Sequence, residues 1–443
     1  MIRIKLLGFL SAGLLLCNCN GLLNDNEKSD SQEPVEKPFS VAMSAVEREN
    51  GNVSSELINT QVQSINSFAV ALYKELTAGK DENFFFSPYS IMVALGMADA
   101  GAKGETDTQI RQALQVTLDG NDFFNAMNGI DISLSSHAES QQALTLNVTN
   151  DAWAQTGWDF RLEYLDLLSR YYGAGVNLLD FMTKPEDCRL TINDYISDVT
   201  NEKIKDLLPP GSISTDTRLV LTNAVYFLAS WLYPFDKSQT AEEKFTLLNG
   251  SESNVSLMTL GEKNKEITLR YAWNDEHKVR IIELPYAGKR LTMNVLLPDK
   301  DAFNSFENNL TAELISQLMA ALDSTDLPPV KLPKFTFKSP NMSLVEPLKA
   351  LGMKDAFNSM ADFSGIDGKK DLMISDVIHK SFIAVDEAGT EAAAATAVIF
   401  IETSLPDHFP SFVADRPFIY CIRDTETGTI IFMGKTTDPA SEN

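Results

Sequence analysis

The stretch VDEAGTEAAAATAVIFIETSLP, Val385 to Pro406, passes from an acidic, glycine-broken opening through a run of small residues to bulky apolar ones, and it contains no Lys or Arg. Alanine is the best helix former, whereas Val398, Ile399, Phe400 and Ile401 favour strands. Gly389 interrupts either pattern from the front, and Pro406 stops it from behind. Taken alone, an ordinary Ala-rich helix or a strand edge accounts for the composition. The flanking sequence has to decide.

Outward from this stretch the patterns are strand-like on both sides: LMISDVIHKSFIAVDE before it, PFIYCIRD and TIIFMGK after it. Further back, RLVLTNAVYFLASW from Arg218, then KFTLL, ITLRYAW, VRIIELPY, LTMNVLLP and VKLPKFTFK, read as strands, broken by one helical patch from Phe303 to Leu322. The first half is mainly helical. Over Asn59 to Thr77 apolar residues recur at helical spacing (Val62, Ile65, Phe68, Ala69, Leu72, Leu76). FFFSPYSIMVALGMADAGA predicts an apolar helix opened by Ser87 and Pro88, a cap and first-turn pair. Helical patterns continue through ETDTQIRQALQV and DFFNAMNGIDISL, a strand follows at ALTLNVTNDAWAQ, and helices at FRLEYLDLLSRYY and RLTINDYISDVTN. Helices first and strands later, without regular alternation, predict an α+β fold. Nothing within 59–440 reads as a linker, so that span is expected to be one domain.

The 443 residues, 44% of them hydrophobic, supply a large core that needs no disulfide or metal to staple it. A net charge of −24 argues against a nucleic-acid partner, whose affinity comes mainly from Lys and Arg on phosphates, and against adsorption to an anionic membrane. At the N-terminus Arg3 and Lys5 precede LLGFLSAGLLL, which ends at CNCNG. This charge-then-apolar layout predicts an export signal over residues 1–19, too short for a membrane span. A Cys directly after the apolar run resembles the lipid-attachment box of bacterial lipoproteins. Cys19, after the small Asn18, is the preferred attachment point; Cys17, after the bulky Leu16, is the alternative, and plain cleavage without a lipid is a third outcome. Residues 20–58, polar, acidic and proline-bearing at their start, are expected to form a disordered tether. The protein is thus expected to be exported and lipid-anchored at a bacterial cell envelope or surface, touching the membrane only through that anchor. Cys188 and Cys421 remain; Cys421, within PFIYCIRD, reads as a buried free thiol, and no disulfide is predicted.

The chain has four histidines, His137, His277, His379 and His408, and no H-E-x-x-H, Walker A loop, Rossmann glycine fingerprint or G-x-S-x-G elbow. No catalytic residue, metal or cofactor is expected, and the protein is not expected to be an enzyme.

Five ordered blocks together resemble the serpin family over roughly Asn59 to Pro439. NFFFSPYSIMVALGMADAGAKGETDTQI looks like its second helix and the following turn. LTNAVYFLASW is similar to the central strand of its main sheet, with Asn223 and Trp231 at matching places. LPKFTFK and LGMKDAFNSMADFSGI fit the strand and helix before the hinge, VIHKSFIAVDEAGTEAAAATA is close to the hinge signature, and DRPFIYCIRDTETGTIIFMGK resembles the closing strand pair.

The resemblance implies N-terminal helices around a large mixed sheet, further sheets, and an exposed bait loop. It implies a suicide inhibitor of proteases: the target's nucleophile attacks the loop, and before the acyl-enzyme is hydrolysed the loop inserts into the main sheet and drags the enzyme out of shape. The partner would be a protease held covalently by a monomeric inhibitor. The opening stretch then has two lives, as exposed loop and as buried strand. Gly389, Thr390, Glu391, Ala392, Ala393, Ala394, Ala395 and Thr396 would form the hinge. Alternation places Thr390, Ala392, Ala394, Thr396, Val398 and Phe400 on the core-facing side and leaves Glu391 on the other. Ser87, Ser90, Asn223 and His379 match a buried polar "shutter", and Trp231 the "breach" where the loop enters, although Trp231 could equally be plain core. Pro417 and Phe418 match the loop's return and read as strand start and core.

Family spacing puts the cut fourteen positions after the hinge glycine, between Thr403 and Ser404. Counting back from Pro417 gives Pro406, so the distal side is about three residues longer than the pattern, and Ile401 and Glu402 stay as alternatives. Leu405 is disfavoured by Pro406 after it. The missing cation points to an elastase-like or broad-specificity serine protease, or a papain-like cysteine protease. The alternative reading is a non-inhibitory relative that binds a ligand or acts as a chaperone.

Overall fold

A computed structural model describes residues 38–141, 144–260, 267–326, 330–390 and 412–441. The chain opens with a short strand, β1 (Ser40–Ala42), and the long helix α1 (Ser55–Thr77); β2 (Phe84–Phe86) runs into α2 (Pro88–Asp99), α3 (Gly104–Ala113) and α4 (Asp122–Ser140). Then come β3 (Leu144–Gln155), α5 (Leu162–Tyr172), β4 (Val176–Leu179), α6 (Pro185–Val199) and β5 (Leu219–Ser230). A run of strands follows: β6 (Ala241–Thr246), β7 (Glu252–Leu260), β8 (Thr268–Asn274), β9 (Val279–Pro285) and β10 (Leu291–Pro298). After α7 (Phe303–Asn308) and α8 (Ala312–Ala320) the chain forms β11 (Asp323–Asp326), β12 (Val330–Pro333), β13 (Phe335–Lys338), β14 (Met342–Ser343), α9 (Val345–Ala350) and α10 (Ser364–Asp367). It closes with β15 (Asp376–Val385), β16 (Gly389–Thr390), β17 (Phe412–Val413), β18 (Phe418–Asp424) and β19 (Ile430–Thr436).

Local signals place the two helices that matter most. In α1 the side chain of Ser54 accepts from the backbone N–H of Leu57, and the predicted stripe from Val62 to Leu76 is buried. In α2 Ser87 caps the backbone N–H of Ser90 and Pro88 stands in the first turn; every residue of the helix is buried, because it lies beneath the main sheet.

Three sheets form around them. The main one runs β1-β4-β3-β5-β16-β15-β13, with β14 also on β15; a second runs β11-β8-β9-β10-β18-β19-β2, and a third β17-β12-β7-β6. Two apolar clusters cover the faces of the main sheet. Leu219, Leu221, Val225 and Phe227 of β5 point into the large cluster shared with α1, α2 and the second sheet. Val220 and Ala224 of β5 and Ile378 of β15 point to the other face, under Ile192 and Ile196 of α6 and the segment through Leu208. Period-two alternation along β5 therefore sorts its side chains between two cores. Cys188 and Cys421 are buried and free.

The expected tether, 20–58, needs correction. Only its first part lies outside the described residues; from residue 38 the chain belongs to the folded body, as β1, an extended segment and the start of α1. The acidic opening of that span dominates its average composition, yet Phe39, Val53 and Ile58 are spaced apolar anchors. Strand β7 was not foreseen either. Its first half, Glu252 to Asn254, is polar and solvent-facing, so only its second half carries a strand signal.

Candidate functional site

The site is a seam in the main sheet. β5 and β15 pair directly and in parallel from Val220 with Asp376 to Tyr226 with Phe382. Beyond Tyr226 they part, and the two residues of β16 fill the wedge: Gly389 lies opposite Ser230 and Thr390 opposite Ala229 on one side, and Val385 opposite Thr390 on the other. Both pairings of β16 are antiparallel.

The turn that delivers β16 is set by Asp386, whose Oδ1 accepts from the N–H of Ala388 at 2.8 Å and of Gly389 at 3.2 Å. Glycine is required at 389 by closeness: a Cβ there would lie 2.1 Å from the carbonyl oxygen of Ala229 and 2.7 Å from Cα of Ser230. Thr390 is fully buried, its hydroxyl 2.7 Å from that of Tyr286. Trp231 stacks on Tyr286 with ring centroids 4.5 Å apart and planes 7° from parallel. Its indole N–H donates to the carbonyl of Asp386 at 3.0 Å and its backbone N–H to that of Ala388 at 2.9 Å. Besides packing in the core, Trp231 is therefore bonded to the turn that delivers β16. Glu387 is buried beside it, held by Lys334 at 2.9 Å and the Thr240 hydroxyl at 2.8 Å. Burial works to raise its pKa, but these bonds and its backbone contact outweigh burial and keep the carboxyl below its usual range.

Lower on the seam the structure brings Ser87, Ser90, Asn223 and His379 together. Asn223 and His379 are cross-strand partners on β5 and β15, and Asn150 of β3 lies opposite Asn223 on its other side. The Asn223 amide donates to both Ser90 Oγ and Asn150 Oδ1, and Ser90 Oγ donates to Asn150 Oδ1 at 2.8 Å. Asn223 Oδ1 meets His379 Nδ1, while His379 Nε2 accepts from the backbone N–H of Ser87 at 3.4 Å. Ser87 Oγ in turn donates to the carbonyl of Ile431 at 2.8 Å. One polar cluster thus joins β3, β5, β15, α2 and β19 inside an apolar core.

These partners fix the imidazole as neutral. With an N–H donor on Nε2, the ring proton sits on Nδ1 and faces Asn223 Oδ1. Burial pushes the His379 pKa down to about 3 from its ordinary 6.5. A folded pKa depressed below the unfolded one gives stability that is complete above pH 6.5 and is lost as pH falls toward 3, because the unfolded chain takes the proton first. Over the two units from pH 6.5 to 4.5 this is on the order of 2–3 kcal/mol. Urea unfolding of the parent and of His379→Gln across that range should show the parent losing this much more; parallel pH profiles would contradict it.

Several expected site residues lie outside the described residues: Glu391, Ala392, Ala393, Ala394, Ala395 and Thr396 of the hinge, Ile401, Glu402, Thr403 and Ser404 at the expected cut, and Cys17 and Cys19. Conversely, Asn150, Tyr286, Thr240, Lys334 and Glu387 belong to the site and were not foreseen. Asn150 is one of several polar residues of β3, so nothing in the sequence marks it out from Asn147 or Asp151. Lys334 and Glu387 are 53 residues apart, and no spacing rule links them.

Against known proteins, residues 63–439 match the family model described as Serpin (serine protease inhibitor). The chain is 38% identical over 384 residues to an uncharacterised serpin-like protein of Methanosarcina acetivorans, covering 85% of this chain and 86% of that one. It is 36% identical over 388 residues to leukocyte elastase inhibitor of Bos taurus, covering 86% and 100% of the two chains. Among solved structures, Serpin48, described as a highly specific serpin of the insect Tenebrio molitor, superposes with a TM-score of 0.74 at 32% identity, covering 85% of this chain and 98% of that one.

Proposed function

Because the chain belongs to the serpin family, we propose that it is a suicide inhibitor of proteases whose loop is cut near Thr403–Ser404 and then inserts between β5 and β15. The observation that carries this reading is the wedge: Gly389 already pairs with β5 and Thr390 with both strands, so the next residues need only continue a ladder that has begun. In this reading Gly389 to Thr396 are the hinge, Ser87, Ser90, Asn223 and His379 the shutter, and Trp231 part of the breach.

Register gives the reading a further support. On insertion, the antiparallel pairing of Thr390 with Ala229 would continue as Ala392 with Phe227, Ala394 with Val225, Thr396 with Asn223, Val398 with Leu221 and Phe400 with Leu219. Those β5 positions face the large core or the shutter. On the other side the pairing of Val385 with Thr390 would continue to His379 with Thr396. Every inward residue of the new strand would then be small or apolar except Thr396, whose hydroxyl would arrive between Asn223 and His379 as those two are parted. A buried donor and acceptor left without a partner costs about 1–3 kcal/mol, and Thr396 offers one. Insertion ends near Phe400, at the start of β5, so a cut after Thr403 leaves enough chain to finish the strand.

The loop and its flanks carry no Lys or Arg between Lys380 and Arg416. A trypsin-like pocket holds a buried carboxylate that needs a cation, and leaving it unpaired costs several kcal/mol. The target is therefore an elastase-like or broad-specificity serine protease, or a papain-like enzyme reading Ile401 and cutting after Glu402. Mixing the protein with pancreatic elastase, subtilisin, trypsin and a papain-like protease should give a denaturant-stable complex with at least one enzyme other than trypsin. The released C-terminal peptide should begin between Glu402 and Leu405. Fast trypsin inhibition would overturn the specificity, and the absence of any complex would favour a binding or chaperone role.

The protein acts in this reading as an exported monomer anchored through a lipid on Cys19, or Cys17. Two acyl chains give stable anchoring where one does not. Mass spectrometry of the mature N-terminus should find an acylated cysteine there; an unmodified N-terminus elsewhere would remove the anchor.

A further inference from the structure

The segment that was expected to be tether grips the main sheet at several points. Ser40 to Ala42 pair antiparallel with Val176 to Leu178 on the sheet edge, so close that a Cβ at Gly175 would lie 2.5 Å from the carbonyl oxygen of Ala42. Just before it, the Phe39 ring stands edge-on to Trp153 of β3 (centroids 4.7 Å apart) and to Tyr195 of α6 (5.2 Å). Trp153 itself is bonded to Thr222 of β5 at 2.8 Å. Further along, Ser44 donates to Asp166 of α5, and the N–H of Glu49 to the carbonyl of Arg170 at 2.8 Å.

Arg48 is the hub of the segment. Its Nε donates to Asn128 at 2.9 Å and its Nη2 to Asp131 at 2.6 Å, both on α4. The other oxygen of Asp131 accepts from the Tyr89 hydroxyl at 2.8 Å, and Tyr89 is in the first turn of α2, next to Ser90 of the polar cluster. Between these groups is a cavity of about 100 Å³, lined by Met127, Asp131, Asn150 and Tyr172 among others. Asn150 thus touches both the cluster and the cavity.

Opening the seam by a slide of β3 and β5 over α2 would break the bonds joining Ser90 to Asn150 and Asn223. The N-terminal segment ties β3 and β4 to α2 by a second route, through Phe39, β1, Arg48, Asp131 and Tyr89. The cavity leaves the first route room to give; the second has to be broken separately. Phe39 also wedges α6 to β3, on the face where α6 covers both β5 and β15.

We propose that residues 38–53 are a latch on the main sheet that holds back insertion of the uncleaved loop. The proposal rests on the insertion reading above. With the latch loosened, the intact protein would convert by itself to a form with the loop inserted, losing inhibitory capacity without being cut.

The test uses the full chain. Parent, Phe39→Ala, Arg48→Gln and Lys349→Ala are held at one elevated temperature, and the fraction that resists a urea concentration unfolding the fresh parent is followed in time, with mass confirming an uncut chain. Lys349 serves as control because its pair with Glu346 is surface-exposed and far from the segment in sequence. Native near-ultraviolet circular dichroism at the start shows that each variant is folded, and Arg48→Lys, which keeps the charge but not the two-pronged reach, serves if Arg48→Gln fails to fold. Phe39→Ala and Arg48→Gln should convert at least tenfold faster than the parent, Arg48→Lys by less, and Lys349→Ala at the parent rate. Conversion at the parent rate, or earlier unfolding with no urea-resistant form, overturns the latch. The parent cut in its loop separates the two failures. If cutting confers urea resistance and the variants still convert at the parent rate, the latch alone is wrong; if cutting confers none, the insertion reading falls and the latch with it.

Discussion

Cutting the loop between Ile401 and Leu405 is expected to raise the unfolding midpoint by about 10 °C or more, with the two fragments still associated. The estimate follows from the seam. Intact, β5 and β15 share a parallel ladder over seven registered pairs, from Asp376 with Val220 to Phe382 with Tyr226. Inserted, residues 391–400 would form a central strand whose N–H and C=O groups find partners on both sides, and the parallel ladder would be lost. The net gain is on the order of ten hydrogen bonds, each contributing roughly 1 kcal/mol. Burial of Val398 and Phe400 adds roughly 2 kcal/mol apiece. Unfolding entropy near about 2.1 cal/mol/K per residue gives roughly 0.8 kcal/mol/K for a body of about 380 residues, so 10 kcal/mol corresponds to about 12 °C. Circular dichroism melts of intact and nicked protein measure it. An unchanged or lowered midpoint would mean that the cut loop stays outside the sheet.

On the insertion reading the intact protein stops short of its best pairing, and the features that would hold it there differ in how far they show in the sequence. The helix α1 was legible from spacing alone, since Val62, Ile65, Phe68, Ala69, Leu72 and Leu76 are all buried. Of the inward alternation expected along the hinge only Thr390 lies among the described residues, and its buried hydroxyl meets that of Tyr286. Ser87, Ser90, Asn223 and His379 could be grouped only through a family resemblance, because three elements far apart in the chain supply them. The bonds of Lys334 to Glu387 and Arg48 to Asp131 were out of reach for the same reason: a charge in the sequence carries no mark of the partner it will meet. The latch segment was hidden differently. Its anchors are single residues, Phe39 and Arg48, spaced widely in a polar context, where composition averages them away and neither helical nor strand period has room to develop.

On the same reading the expected shutter and breach would divide the work of holding the seam. At the lower end, neutral side chains satisfy one another inside the core, so parting them leaves donors and acceptors exposed to apolar surroundings until a new partner arrives. At the upper end, Asp386, Trp231, Tyr286 and the Lys334–Glu387 pair fix the turn, and the strand begins from there. Insertion, so read, would have a direction. It would start at a preset position and travel six residues from Thr390 before Thr396 reached the polar cluster.

Replacing Thr390 with Arg should turn the protein from inhibitor to substrate: the target cuts the loop at the same bond, and both products leave without a stable complex. Thr390 is fully buried between Ala229 and Val385, its hydroxyl on that of Tyr286, whose ring stacks on Trp231. A guanidinium there would have no anion within the observed contacts, since Glu387 is already held by Lys334 and Thr240. Burying an unpaired charge costs several kcal/mol, so the Arg-bearing hinge would be expelled into solvent and the strand would have to start from nothing. If roughly 3–4 kcal/mol of that cost appears in the barrier to the first insertion step, the step slows by about 10²–10³. Water meanwhile hydrolyses the acyl-enzyme at an undiminished rate. The competition decides the outcome, and a hundredfold slower insertion loses it. Thr390→Ser, which keeps a hydroxyl for Tyr286, should inhibit nearly as well as the parent. Titrating a susceptible protease with each variant and running the mixtures on denaturing gels reads both results. A Thr390→Arg variant that traps the enzyme with the parent's stoichiometry would show that the hinge residue need not enter the sheet, and insertion through this seam would no longer explain inhibition.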